Sequence, residues 1–153
     1  MRVHFDSPRE DYWKLLGTPI FDNEGKPTER AIAGLENLLA AYSQVSPLHA
    51  KNSDNNISNY EVTSVSLVGS GADRNEPNSD IDFLFIVPRL DIGSANAVKT
   101  VLAMMFYCDR NKESAIDVFI RKEDAYPNRA NIDITSYTEV KKLLDNYMDR
   151  MLI

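Results

Sequence analysis

The sequence predicts a single domain of the α+β (α/β-like) class, and three observations lead to this prediction. Short apolar segments of strand length alternate with longer segments whose apolar residues recur at helical spacing. Turn residues separate these segments. A length of 153 residues with 43% hydrophobic residues suits one domain with its own core. We expect that domain to span residues 1–153, with a motif core at 62–120, a helical extension at 1–60 and a C-terminal helix at 136–152.

The N-terminal extension begins with a predicted short helix. Ser7, Pro8 and Glu10 match a helix start, as N-cap, first helical residue and capping-box acid, so we place this helix at about 8–16. Trp13 is expected to anchor the helix to the core rather than to stack on a base.

A longer amphipathic helix is predicted at about 28–44, with Thr28 as its N-cap. It is expected to pack on the sheet through an apolar stripe of Ile32, Leu35, Leu39 and Tyr42. The polar, asparagine-rich residues 46–59 predict a loop, in which His49 is expected to be solvated rather than to be a ligand.

The middle of the chain combines two predicted strands with a pair of acids. Residues 62–68 form a segment with four apolar residues, Val62, Val65, Leu67 and Val68, and a nearly continuous hydrophobic run at 83–87 follows directly after Asp80 and Asp82. Because side chains alternate across a strand, the two carboxylates share one face. At a spacing of about 7 Å along the backbone they repel each other unless a cation lies between them. Oxygen ligands of this kind suit Mg2+ or Mn2+.

A glycine-rich turn between the two strands predicts an anion site. Gly69 and Gly71 let backbone N–H groups approach an anion without a Cβ in the way, and Ser70 adds a hydroxyl donor. A short helix starting within residues 70–75 would add the positive end of its dipole. A phosphate cradle beside a metal-binding acid pair is the arrangement that phosphoryl or nucleotidyl transfer requires.

The C-terminal half predicts two further helices and two further strands. A helix at about 94–110 precedes a strand at 115–120, and residues 131–134 predict a short edge strand. Ser136 and Glu139 form a capping box for the last helix. The buried face of that helix is expected to contain Val140, Leu143, Leu144, Tyr147, Met148 and Met151.

The order Gly69-Ser70, spacer, Asp80-Ile81-Asp82 resembles the signature of the nucleotidyltransferase superfamily related to DNA polymerase beta, and in compactness its minimal nucleotidyltransferase-like domains. The resemblance implies the nucleotidyltransferase fold, a small mixed β-sheet with helices packed on it. It also implies that Gly69, Ser70 and Gly71 hold the β- and γ-phosphates of an NTP. Many relatives carry Ala-Arg-Gly shortly after the serine, whereas this chain has Ala72-Asp73-Arg74. Either Arg74 takes the role of that arginine or the phosphate side of the pocket is altered.

Asp117 lies in the middle of the 115–120 strand, on the face opposite to its isoleucine and valine side chains. Since an acid is costly to bury alone, the residues by themselves predict an arginine partner or an edge strand with Asp117 in water. The resemblance implies instead that Asp117 completes a catalytic metal site with Asp80 and Asp82. Such a site with Mg2+ (or Mn2+) transfers a nucleoside monophosphate from an NTP, with ATP among the expected nucleotides, to an acceptor hydroxyl and releases pyrophosphate.

The composition limits the expected classes of binding partner and the expected cellular location. The net charge of −6 does not favour a long nucleic acid, which normally demands a basic face. No apolar run approaches the roughly 18 residues of a membrane span, and residues 1–11 lack the hydrophobic core of a signal peptide. The single cysteine, Cys108, excludes an intrachain disulfide, so a cytoplasmic location is expected.

Two classes of function remain open. The first is a nucleotidyltransferase, and the second is an antitoxin-like or regulatory binding module of the same fold that acts through a protein partner. The resemblance implies the second class because minimal nucleotidyltransferases of prokaryotes are often paired with a separate helical toxin protein. The chain is too short to contain a separate large acceptor-binding domain as well, which favours a protein partner or a homodimer.

Overall fold

The computed structural model describes residues 7–52, 61–69, 72, 80–88, 93, 95–100, 102, 116–123 and 131–148. These residues form a mixed four-stranded sheet with helices packed on it, so the predicted α+β class is confirmed. Along the chain the elements are a 3-10 helix (Glu10–Lys14), α1 (Glu29–Asn52), β1 (Ser64–Val68), β2 (Ile81–Ile86), β3 (Ile116–Arg121), β4 (Asn131–Asp133) and α2 (Thr138–Met148). Residues 95–100, between β2 and β3, are helical.

The sheet has the strand order β3-β2-β1-β4. β1 is antiparallel to both β2 and β4, whereas β2 and β3 are parallel. Three successive residues of β2, Phe83, Leu84 and Phe85, are completely buried. A strand that is covered on both faces needs such a continuous apolar run, which explains why β2 lies inside the sheet rather than at its edge. β3 lies at one edge of the sheet, and the short β4 lies at the other edge, as predicted.

α1 is longer and more deeply buried than predicted. It begins at Glu29, next to the predicted N-cap Thr28, whose hydroxyl donates to the carbonyl of Pro19 at 2.6 Å. It ends at Asn52, so the predicted loop is wrong for residues 46–52, and His49 lies within the helix. The helix continues past Pro47 because leucine, alanine and lysine, which favour helices, follow it.

The burial of α1 extends well beyond the predicted stripe. Leu35, Leu39 and Tyr42 are completely buried, and Ile32 is partly buried against the core. Alanines and leucines on the other sides of the helix are also buried, because α1 packs against the sheet, α2 and the 3-10 helix. The aromatic ring of Tyr42 meets Phe85 of β2 edge to face, with ring centroids 5.9 Å apart.

The N-terminal helix is positioned by a long-range contact rather than by a local cap. It is a 3-10 helix that follows Arg9 and has no side-chain cap, so the predicted capping by Ser7 is wrong. The backbone N–H of Arg9 donates to Oδ1 of Asn37 at 2.9 Å, and Nδ2 of Asn37 donates to the Arg9 carbonyl at 3.1 Å. This pair of bonds fixes the segment on α1. Trp13 packs against the core as predicted, edge to face with Tyr12.

The C-terminal helix matches the predicted buried face but not the predicted start. α2 begins at Thr138, and Glu139 pairs with Lys26 at 3.1 Å, so Ser136 and Glu139 do not form the predicted capping box. Leu144 is partly buried against the core, and Met151 lies outside the described residues. The completely or largely buried side chains of α2 are Val140, Leu143, Tyr147 and Met148.

The predicted 94–110 helix is described only in part. Residues 93, 95–100 and 102 are helical, and Val98 and Leu102 are buried in the core. Cys108 and the rest of the predicted apolar face lie outside the described residues. Within the described part of the chain, no helix is both long enough and apolar enough to cross a membrane.

Candidate functional site

The register of the parallel strands brings two aspartates side by side. β2 and β3 both begin with Ile-Asp, and the register pairs Ile81 with Ile116 and Asp82 with Asp117. Neighbouring strands lie about 4.8 Å apart, and paired residues share one face of the sheet. The isoleucines therefore face α1 and the core, while both carboxylates face the other side. Asp117 thus lies next to the predicted acid pair, on the neighbouring strand.

Asp80 lies immediately before β2 and is exposed. Side-chain alternation puts it on the same side as Asp82, two residues away. Ile81 and Phe83, the residues that alternate with them, are completely buried. The predicted division of this segment into an acidic side and an apolar side is therefore what the structure has.

The three aspartates interact electrostatically, and Asp82 is the most affected. Burial, and after it the negative charges of Asp117 and Asp80, together raise the pKa of Asp82 from 3.8 to about 6. The positive charge of Lys99 acts in the opposite direction and lowers this pKa. A carboxyl that is disfavoured in its charged form by burial and by two like charges would be relieved by a bound cation.

Gly69 approaches Asp82 from the β1 side. It follows Val68, the residue that pairs with Asp82, and its backbone adopts a φ of +76°. A Cβ at this position would overlap Oδ2 of Asp82 and lie 3.3 Å from its Cγ. Two features therefore favour glycine at this position: the left-handed backbone conformation and the close approach to the Asp82 carboxylate.

Gly69 is the one residue of the predicted phosphate cradle within the described ranges. Ser70, Gly71 and Arg74 lie outside the described residues, so their assignment as phosphate-binding groups remains a prediction. Gly69, which precedes them in the sequence, lies beside the carboxylate of Asp82.

Asp117 has a local contact that the sequence did not indicate. Its side chain is exposed, and Oδ1 accepts a hydrogen bond from the N–H of Val118 at 2.8 Å. β3 is an outer strand of the described sheet, so the alternative of an edge strand with Asp117 in water agrees with the structure. The other alternative, an arginine partner, is not found within the described ranges.

The carboxylates have suitable chemistry for a hard cation but are not arranged as a closed chelate. No three Asp, Glu, His or Cys side chains converge to hold a metal ion among the residues that the structure describes. One carboxylate oxygen of Asp117 is occupied by the Val118 N–H. This side chain is exposed, and the strand register puts its backbone beside that of Asp82.

Two further residues near the aspartates were missed by the sequence reasoning. Tyr12 is completely buried, and its pKa is raised by burial and by the charge of Asp80. Its ring and the side chain of Ile116 both lie close to Gly34 of α1. Lys99 acts on Asp82 from the helical residues 95–100. Both contacts are long-range in sequence, and neither residue belongs to a motif that could have pointed to them.

Comparisons of this chain with protein-family models, with curated proteins and with solved structures find no match. The resemblance to nucleotidyltransferases therefore rests on the residues of the motif alone and remains a prediction.

Proposed function

We propose that this chain is a metal-dependent nucleotidyltransferase with a nucleotidyltransferase fold. The observation that supports the proposal best is the register that places Asp82 of β2 beside Asp117 of β3. The close approach of Gly69 to Asp82 puts the first residue of the glycine-rich segment beside the same carboxylate. A motif of Gly-Ser and Asp-x-Asp is common by chance when taken alone. The same motif with a third aspartate beside it on a paired strand is much rarer by chance.

Asp80, Asp82 and Asp117 are the residues that would hold a divalent cation. Their oxygen donors suit Mg2+ or Mn2+. Burial and the repulsion from Asp117 and Asp80 raise the pKa of Asp82, and a bound cation would offset both effects. Such ions supply charge neutralisation at the phosphates of an NTP and lower the pKa of an acceptor hydroxyl. Asp117 is exposed on the outer strand β3, where an acceptor can reach it from solvent.

The turn that starts at Gly69 would receive the triphosphate. In this proposal the β- and γ-phosphates lie over the turn, on the β1 side of Asp82, and the α-phosphate lies toward the aspartates. Ser70, Gly71 and Arg74 are the proposed further contacts of these phosphates. Backbone N–H groups are suitable donors because they need no side-chain ordering when the anion binds.

The reaction is an in-line displacement at the α-phosphorus. The acceptor oxygen forms a new bond to this phosphorus, and the bond from the phosphorus to the oxygen that bridges to the β-phosphate breaks. Pyrophosphate leaves with that oxygen, and the proton of the acceptor hydroxyl passes to water on the exposed Asp117 side. The residues near Asp117 therefore act on the acceptor, and those near Gly69 act on the nucleotide.

An α-labelled NTP assay tests the proposal. The chain is incubated with each of the four NTPs and Mg2+, with and without protein that co-purifies with it, and pyrophosphate release and labelled product are measured. We expect labelled acceptor with the parent chain and none with Asp82→Asn. The matched control is Asp145→Asn, which changes an exposed aspartate of α2. Partner binding without nucleotide binding or label transfer would contradict the proposal and favour the binding module.

A further inference from the structure

Two cationic side chains gather on one aromatic ring next to the aspartates. Phe119 lies two residues after Asp117 on the same face of β3 and pairs with Leu84 of β2. The Nζ of Lys99 lies 4.4 Å from the centroid of the Phe119 ring, and the Cζ of Arg121 lies 5.8 Å from it. Attraction between cations and the ring face holds both groups near the ring.

Neither cation lies within ion-pair distance of a carboxylate among the described residues, although the charge of Lys99 acts on Asp82. Neither Lys99 nor Arg121 forms an ion pair there, although Nη1 of Arg121 donates to the carbonyl of Ile120 at 3.0 Å. Two like charges near one ring repel each other, and an anion that contacts both relieves that repulsion. The pair therefore has the positive charge that an anionic group requires.

The position of the pair separates it from the NTP side of the site. Gly69 follows β1, whereas Phe119 and Arg121 belong to β3, and Asp82 of β2 lies between the two strands. If the triphosphate lies over the turn at Gly69, the cations are on the far side of the aspartates. This is the side from which the acceptor approaches.

We propose that Lys99 and Arg121, held on Phe119, bind a phosphate group of the acceptor close to its reacting hydroxyl. The inference rests on the proposed function and assigns the acceptor to the phosphorylated alcohols. Two residues along a strand span about 6.6 Å, so Phe119 lies at a distance from Asp117 that a hydroxyl and a phosphate a few bonds apart can bridge. In the transfer only the hydroxyl oxygen forms a bond to the α-phosphorus, and the phosphate of the acceptor stays unchanged.

Binding of small acceptors in the absence of NTP tests the inference. Glycerol 3-phosphate and glycerol are titrated into the chain in the presence of Mg2+, and binding is followed by NMR. We expect the phosphate compound to bind at least about tenfold more tightly than glycerol, as one charge-assisted contact provides. The dinucleotide ApA, with a free 3′ hydroxyl, forms a second arm that distinguishes a nucleic-acid end from a free organophosphate.

Variants of the cation pair make the test specific. Lys99→Met keeps the length of the side chain and should reduce binding of glycerol 3-phosphate about tenfold, while Lys99→Arg should retain it. Lys141→Met, which changes an exposed lysine of α2, is the matched control and should bind as the parent does. Equal binding by the parent and by Lys99→Met, or equal binding of glycerol and glycerol 3-phosphate by the parent, would overturn the inference.

The outcome is separable from that of the proposed function. If label transfer from NTP occurs but Lys99→Met binds glycerol 3-phosphate normally, the function stands and the acceptor assignment is wrong. If binding depends on Lys99 but no NTP is ever used, the anion site is real and its assignment to an acceptor is wrong.

Discussion

Asp82→Asn should stabilise the metal-free protein at neutral pH. In the folded chain the pKa of Asp82 is raised to about 6 from 3.8, so the folded state disfavours the ionised carboxylate. A shift of this size corresponds to about 3 kcal/mol, and solvent screening of this partly exposed side chain reduces it to about 1 kcal/mol. The isosteric amide removes this cost, which raises the melting temperature by about 3 °C for a chain of this size.

The pH dependence follows from the same shift. Between pH 4 and 6 the folded chain binds more protons at Asp82 than the unfolded chain does, so the stability of the parent falls as the pH rises through this range. Below pH 4 both states carry neutral Asp82, and the difference between Asp82→Asn and the parent should vanish. Urea unfolding in EDTA from pH 4 to 8 measures this difference in the free energy of unfolding. A variant that is less stable than the parent at pH 8, or a difference that does not change with pH, would refute the reasoning.

Three further predictions concern the cation, the turn and the N-terminal segment. Mg2+ or Mn2+ at 100 times its Kd should stabilise the parent by about 2.7 kcal/mol and Asp82→Asn much less. With the cation the parent should therefore be the more stable protein, the reverse of the order in EDTA. An unchanged melting temperature of the parent across the titration would contradict the site. Gly69→Ala should lower the free energy of unfolding by about 1–2 kcal/mol because of its positive φ, and it should also weaken nucleotide binding because the new Cβ displaces Asp82. The control Gly17→Ala, at a φ of +89° with open space around it, should lower only the stability. Equal nucleotide binding by both variants would argue against a cradle at Gly69. Asn37→Ala removes both hydrogen bonds to the Arg9 backbone and should lower the free energy of unfolding in urea by about 2–3 kcal/mol. The control Asn146→Ala, at an exposed position of α2, should change it little. An equally small effect of both variants would show that Asn37 does not fix the N-terminal segment.

The strands could be predicted from the sequence, since their patterns are local. The run after Asp82 is apolar at every position because β2 is covered on both faces, and the alternation around Asp117 shows which face is buried. Predicting that Asp82 and Asp117 are neighbours needed the family resemblance, because alternation within a strand does not specify its partner or its register.

The errors lie where contacts distant in sequence decide the structure. Ser7 has the chemistry of an N-cap, yet Asn37 of α1 fixes the adjacent backbone and the helix starts later. Glu139 has the spacing of a capping box but pairs with Lys26 instead. Lys99 reaches Phe119 from a different element, so no pattern within either segment could have indicated the cation pair.

The most direct test of the central claim is Asp117→Asn, measured for NTP binding, transfer and stability. The amide oxygen can still accept the Val118 N–H bond, so the fold should be retained, and NTP should remain bound through Asp80 and Asp82. Transfer should fall by several orders of magnitude, because the lost charge acts mainly in the transition state. A folded Asp117→Asn chain that transfers nucleotide as fast as the parent would contradict the claim that Asp82 and Asp117 act together in catalysis.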